Sequence, residues 1–193
     1  MELHDAASTR CLVMMPELIP VLSKEDIEKS VAGIARRISA DYRHRKPILV
    51  GVLKGAFVFL SDLIRQLTIP VKIDFIRTAS YGDETSSSGT VCLTKGLEID
   101  INGEDVLVVE DIVDSGVTLR WILDYLNGLG PASVRICALV DKRERRQIDV
   151  HVDYACHVVQ EGFLVGYGLD CAEDFRHLPA VYHLKKIISE GET

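Results

Sequence analysis

Glu110, Asp111 and Asp114 stand at the end of an apolar run, in "VLVVEDIVDSGVTL" (106–119). Carboxylates this close repel one another unless water, a cation or hydroxyl donors meet them. Ser115, Gly116 and Thr118 follow at once. They supply two hydroxyls and a backbone with few steric limits. A helix starting here would aim its first amide hydrogens at the same spot, which suits a phosphate monoester. Adjacent acids can accept hydrogen bonds from a sugar diol or reach a magnesium ion. A phosphate and a diol a few ångströms apart describe a ribose 5-phosphate. A helix capped by Asp114 would account for Asp114 and Ser115 but leave Glu110 and Asp111 unexplained. The turn lacks GxxxxGK[ST], and no GxGxxG joins a strand to a helix. The two aspartates of "DIVDSG" are three apart, where an aspartyl-phosphate phosphatase needs two.

Such a turn needs a scaffold. The run before Glu110 is too apolar for a half-exposed strand and reads as a central one, as does "PILVGVL" (47–53). "KGAFVFLSDLIRQL" places Phe57, Leu60, Leu63, Ile64 and Leu67 at helical spacing. "LRWILDYLNGLG" sets Leu119, Ile122, Leu123, Leu126 and Leu129 on one face before Gly130-Pro131 stops it. "VKIDFIRTAS" (71–80) and "SVRICALV" (133–140) predict strands, and "YACHVV" and "FLVGY" shorter ones. "TVCLTKGLEIDINGEDVLVVED" predicts two strands with a turn at Asn102-Gly103. Ser23 and Asp26 open a helix bearing Ile27, Val31, Ile34, Ile38 and Tyr42, which "RHRKP" ends. Residues 1–22, with Pro16 and Pro20, are expected to be irregular, and "YGDETSSSG" (81–89) to be a polar loop.

Alternation of strand and helix from 47 to 140 predicts an α/β fold, a mainly parallel twisted sheet flanked by helices. A single domain is expected over 1–193, with a core over about 45–150 and a small cap or hood from about 1–45 and 150–193. The 193 residues are 47% hydrophobic and 26% charged, enough for a sizeable core. A net charge of -7 argues against a broad nucleic-acid footprint, so any anion must be held by local donors. Five scattered cysteines without a CxxC pair predict reduced thiols and a cytoplasmic setting. No apolar run approaches the roughly 20 residues of a membrane span. Neither a secretory leader nor a zinc site is expected.

Five stretches then carry a resemblance. They are "VGVLKGAFVF" (50–59), "DFIRTASYG" (74–82), "VLVVEDIVDSGVTL" (106–119), "LVDKRERR" (139–146) and "FLVGYGLDCAEDFR" (163–176). The acidic one resembles the signature of the type I phosphoribosyltransferases. Together, and in this order, the five resemble the hypoxanthine-guanine phosphoribosyltransferases. The resemblance implies the type I phosphoribosyltransferase fold and a purine-salvage enzyme with Mg²⁺ as cofactor. It would transfer the phosphoribosyl group of phosphoribosyl pyrophosphate to hypoxanthine or guanine, giving IMP or GMP and pyrophosphate. Relatives of this kind are commonly homodimers or homotetramers, and no nucleic-acid or membrane partner is expected.

The resemblance also implies residue roles. Glu110 and Asp111 would take the ribose hydroxyls, directly or through the metal. Asp114, Ser115, Gly116, Val117 and Thr118 would bind the 5-phosphate, and Asp114 would serve as general acid or base at purine N7. Lys54, Gly55 and Arg176 would bind pyrophosphate, with a cis peptide between Leu53 and Lys54. Glu110, Asp111 and Asp170 would be metal ligands. Lys142 would donate to the purine 6-oxygen and reject a 6-amino group, itself a donor. Phe163 would stack on the ring, Leu164 would offer backbone groups to its edge, and Asp170 would help place the base. Ser80 and Tyr81 would begin a lid. Without the resemblance, Phe163 and Leu164 read as core strand residues, "DKRERR" (141–146) as a solvated charge run and Arg176 as a surface arginine.

Some positions depart from the family pattern. Ser115 stands where threonine is frequent, Val117 has no side-chain donor, and Cys171 follows Asp170 where an aromatic is common. Two other readings stay open. One is a non-catalytic regulator that senses phosphoribosyl pyrophosphate and binds nucleic acid, expected to show a basic face. The other is a salvage enzyme preferring xanthine.

Overall fold

The computed structural model describes residues 17–81 and 90–185. In chain order the elements are β1 (Glu17–Leu22), α1 (Lys24–Asp41), β2 (Ile48–Leu53), α2 (Phe57–Gln66), β3 (Lys72–Tyr81), β4 (Thr90–Lys95), β5 (Asp105–Val113), α3 (Val117–Asn127), β6 (Ser133–Lys142), β7 (Tyr154–Val159), β8 (Leu164–Val165) and β9 (Val181–Lys185). The main sheet runs β4-β3-β2-β5-β6-β7 and is parallel except at its β3–β4 edge. This is the α/β architecture that the alternating elements predict.

Period-two alternation sorts the core. Leu49, Leu107, Val109, Cys137 and Leu139 pack with buried residues of α1 and α2. Their neighbours Ile48, Val50, Val106, Val108, Ile136 and Ala138 pack with α3. Both faces of the parallel sheet are therefore covered, which is why its strands read as unbroken apolar runs. Ser23 and Asp26 form a reciprocal capping box at the start of α1, and Ile27, Val31, Ile34, Ile38 and Tyr42 are all buried. None of the helices among the described residues is long and apolar enough to cross a membrane.

Several expectations need correction. Residues 17–22 are not irregular: β1 pairs antiparallel with β9 in a second sheet, ordered β1-β9-β8. Pro20 fits because β1 is an edge strand, where a missing N–H costs no ladder bond. Within the described part of the ranges 1–45 and 150–193 expected for the hood, the second sheet takes β1, β8 and β9. α1 packs on the main sheet, and β7 is its terminal strand. Phe57 is 47% exposed and Phe59 is buried in its place; Leu129, beyond the end of α3, is also exposed. The charge run 141–146 is not solvated throughout, because β6 extends to Lys142 and buries Asp141 and Lys142 to 5% and 4% exposure.

β2 lies between β3 and β5. The chain leaves β2 through α2 towards β3 and returns on the other side with β5 and β6. The carboxyl ends of β2 and β5 thus border the switch point where open α/β sheets bind ligands.

Candidate active site

The acid-rich turn sits at that switch point. Glu110 still pairs with Ala138 of β6, and β5 ends at Val113. Gly116 starts α3 with φ 82°, and a Cβ there would stand 2.3 Å from the Ile148 carbonyl oxygen. Only glycine meets both demands. Asp114 does not cap the helix; Gly116 occupies the cap position without any side-chain cap bond. The Asp114 carboxylate is thereby left available. A hollow of about 170 Å³ is lined by Glu110, Asp114, Ser115, Gly116 and Thr118, with Val113 among its walls. The stretch expected to cradle a phosphate therefore lines a concavity. A larger hollow of about 420 Å³, between α1, α2 and the 167–179 stretch, includes Arg176 but not the acids. The acid-rich turn borders only the smaller one.

Burial pushes the Glu110 carboxyl well above the usual carboxylate range, and the charge of Asp111 adds to this. Burial likewise raises Asp111 to about 6, although the Ile112 amide and the Arg176 charge oppose the rise. Glu110 Oε2, Asp114 Oδ1 and Arg176 Nε are buried without a hydrogen-bond partner. Each such atom costs about 1–3 kcal/mol. Glu110 and Asp114 line the same hollow, and their unmet oxygens suit polar groups of a ligand.

Lys54 and Gly55 follow β2, and the Leu53–Lys54 peptide is cis, as the resemblance implies. Gly55 lies against Asp111, so that a Cβ on it would stand 1.7 Å from Oδ2. A Cβ on Gly168 would in turn stand 2.3 Å from the Gly55 carbonyl oxygen. Two loops distant in sequence therefore stack beside Asp111, Gly168 on Gly55 and Gly55 on the carboxylate. Arg176 is no free surface arginine. It donates to the Gly168 carbonyl at 2.8 Å and pairs with Asp170 at 2.9 Å and Glu173 at 3.3 Å. Glu173 also takes the ammonium of Lys54 at 2.8 Å.

Lys142 lies 3.7 Å from Asp114 Oδ2 and 3.3 Å from Glu144 Oε2. Glu144 accepts a hydrogen bond from the Gly162 amide at 3.2 Å, tying Lys142 to the stretch that carries Phe163 and Leu164. Leu164 is buried and pairs with His183, while Phe163 is 52% exposed and is not a core residue. An exposed ring is available for stacking. Ser80 and Tyr81 end β3, and the rest of the expected lid, residues 82–89, lies outside the described residues.

Sequence reasoning missed three residues. Arg146 donates to the carbonyls of Asp114 (2.9 Å), Val113 (2.9 Å) and Lys142 (3.0 Å) and pairs with Asp141 at 2.5 Å. It clamps the acid-rich turn to the end of β6. Glu144 and Glu173 hold the lysines just named. All three act across sequence distance, and nothing in their local pattern signals it.

Among the described residues, no group of three or more His, Cys, Asp or Glu side chains converges on a metal position. Glu110, Asp111 and Asp170 are not a closed cage; Asp170 uses Oδ1 on Arg176 and Oδ2 on the Glu173 amide. Hard carboxylate oxygens, one of them orphaned, still fit a Mg²⁺ that draws most ligands from substrate and water.

Comparison with known proteins agrees with this geometry. The family model described as "Phosphoribosyl transferase domain" matches residues 21–172. A hypoxanthine-guanine phosphoribosyltransferase of Aquifex aeolicus is 44% identical over 163 residues, 84% of this chain and 92% of that one. One from Dictyostelium discoideum is 41% identical over 86% of this chain and 94% of that one. The crystal structure of a Bacillus anthracis hypoxanthine-guanine phosphoribosyltransferase superposes with a TM-score of 0.83 at 40% identity, covering 87% of this chain and 99% of that one. With the acid-rich turn and its hollow set beside the Lys54 loop at one switch point, the chain belongs to the phosphoribosyltransferases, in the hypoxanthine-guanine phosphoribosyltransferase family.

Proposed function

We propose that this enzyme salvages purines by transferring the phosphoribosyl group of phosphoribosyl pyrophosphate to hypoxanthine and guanine. The observation that carries the reading is the approach of Lys142 to Asp114 beside the phosphate hollow. It supports reading Lys142 as the 6-oxygen donor and Asp114 as the N7 acid or base on one ring.

The 5-phosphate occupies the hollow, held by the hydroxyls of Ser115 and Thr118 and by amides at the start of α3. Val117 contributes its amide alone. Glu110 and Asp111 accept the ribose hydroxyls, which relieves the orphaned Glu110 oxygen. Lys54, the Gly55 backbone and Arg176 take the pyrophosphate. Phe163 stacks on the base and Leu164 meets its edge, while Asp114 exchanges the N7 proton. Ser80 and Tyr81 open the lid that excludes water from the sugar. Glu110 and Asp111, with Asp170 near them, would hold Mg²⁺, which when bound stabilises the leaving pyrophosphate charge. The setting is cytoplasmic and the assembly a homodimer or homotetramer, as in the resemblance.

The test is an absorbance assay of kcat/KM with hypoxanthine, guanine, xanthine and adenine. Hypoxanthine or guanine should lead, and adenine should fall on the order of 10⁴-fold behind, because a 6-amino group faces the Lys142 donor. Turnover of none of them, with salt-sensitive nucleic-acid binding, would favour the regulator and overturn this reading.

A further inference from the structure

Lys54 and Arg176 are not waiting with open hands. A single oxygen, Glu173 Oε2, lies 2.8 Å from Lys54 Nζ and 3.3 Å from the nearer guanidinium nitrogen of Arg176. One oxygen shared by two cations is the arrangement a phosphate oxygen would adopt there. We infer that Glu173 is an internal competitor of the pyrophosphate group, which engages both cations and must swing out before pyrophosphate can take them. This rests on the reading of Lys54 and Arg176 as the pyrophosphate cations.

Three observations separate Glu173 from an ordinary structural acid. Its side chain is 64% exposed, so release into solvent is cheap. Asp170, the other acid on Arg176, is half-buried and fixed by the Glu173 amide at 2.9 Å. Glu173 is therefore the removable partner and Asp170 the permanent one. Arg176 has three of its five N–H donors engaged. One of its terminal nitrogens is taken by the Gly168 carbonyl and the other by Asp170 and Glu173, and only buried Nε lacks a partner. Departure of Glu173 returns a further Arg176 N–H to a diphosphate, beside the unpartnered Nε.

The backbone points the same way. Among the described residues, the non-glycine positions with positive φ are Tyr167 (54°), Ala172 (50°), Glu173 (72°) and Phe175 (74°). All lie in the stretch that carries Asp170 and Arg176. Side-chain-bearing residues rarely adopt this conformation, and runs of it occur where function over-determines the loop. It places the carboxylate of Glu173 over two cations that its own chain would not otherwise face. The result is a selectivity filter for anions. A small monoanion must displace Glu173 for a single contact, whereas a metal-bound diphosphate replaces it with several.

Calorimetric titration of the full chain with pyrophosphate and Mg²⁺ tests this. Glu173→Gln keeps the shape and removes the charge, and should tighten pyrophosphate binding about three-fold at low salt, the worth of an exposed ion pair. The gain should shrink as salt rises. Glu173→Asp, too short to reach both cations, should tighten binding in the same direction. Lys54→Met should weaken binding and shrink the gain from Glu173→Gln, leaving only the part due to Arg176. Unchanged or weaker binding in Glu173→Gln, with Lys54→Met still weakening it, would show Glu173 to be a positioning residue and overturn the inference alone. Unchanged binding in Lys54→Met would overturn the reading of the cations beneath it.

Discussion

Gly55 and Asp111 touch, backbone against carboxylate. A Cβ on Gly55 would stand 1.7 Å from Oδ2 and 2.4 Å from Cγ of Asp111. The loop assigned to pyrophosphate and the acid assigned to ribose are thus in direct contact, although 56 positions apart (111 less 55). Two halves of one substrate would be held by two groups that cannot move independently. Gly55→Ala should therefore displace Asp111 or the loop. A misplacement of about 1 Å costs roughly 10²-fold in rate. Initial rates and circular dichroism check this: kcat/KM should fall by that order with the fold retained. Activity within two-fold of wild type would contradict the contact.

Asp114 has one buried oxygen without a partner and the other near Lys142. Asn would keep the shape and lose the proton exchange. Asp114→Asn should lower kcat roughly 10²-fold or more while changing the KM for the base little. Steady-state kinetics decide it; an unaltered kcat would reject the acid/base role.

Arg146 clamps the carbonyls of Val113, Asp114 and Lys142 and the Asp141 carboxylate. Its loss leaves buried acceptors unmet, although Arg143 still reaches Asp141 at 3.3 Å. Arg146→Ala should cost about 3 kcal/mol in urea unfolding. Lys in its place should not restore it, because one ammonium cannot serve four acceptors in that fork geometry. A loss under about 1 kcal/mol would show the clamp to be incidental.

Much of this was legible in the residues. Unbroken apolar runs gave the central strands because both sheet faces are covered. Ser23 and Asp26 gave the start of α1 because capping is local. The acid-rich turn declared itself by an unfavourable charge pattern. The edge strand β1 did not, because Pro20 normally breaks a strand and is tolerated here only by its place at the rim. Phe57 and Phe59 sit on one helix, yet tertiary packing alone chose which to bury. Glu144, Arg146 and Glu173 owe their roles to partners brought close by folding.

Asp74 is another such residue, 4% exposed. Burial raises its pKa, but amides of Ile99 (2.8 Å), Phe75 (2.7 Å) and Glu98 (2.7 Å), with the Lys95 charge, outweigh this and hold it below the usual value. A carboxyl depressed on folding contributes stability above its unfolded pKa, and loses it as pH falls through the folded one. Asp74→Asn sets an NH₂ against amide donors and should cost about 2 kcal/mol near neutral pH. Urea midpoints of both proteins should converge as pH falls below about 4. A gap independent of pH would contradict the charge-based account.

The most direct measurement is a crystal structure of the protein soaked with GMP or IMP, pyrophosphate and Mg²⁺. The phosphate should lie in the hollow at Ser115–Thr118, the ribose diol on Glu110 and Asp111, and the 6-oxygen at Lys142. A nucleotide bound elsewhere, with those two acids facing only solvent, would contradict the account at its root.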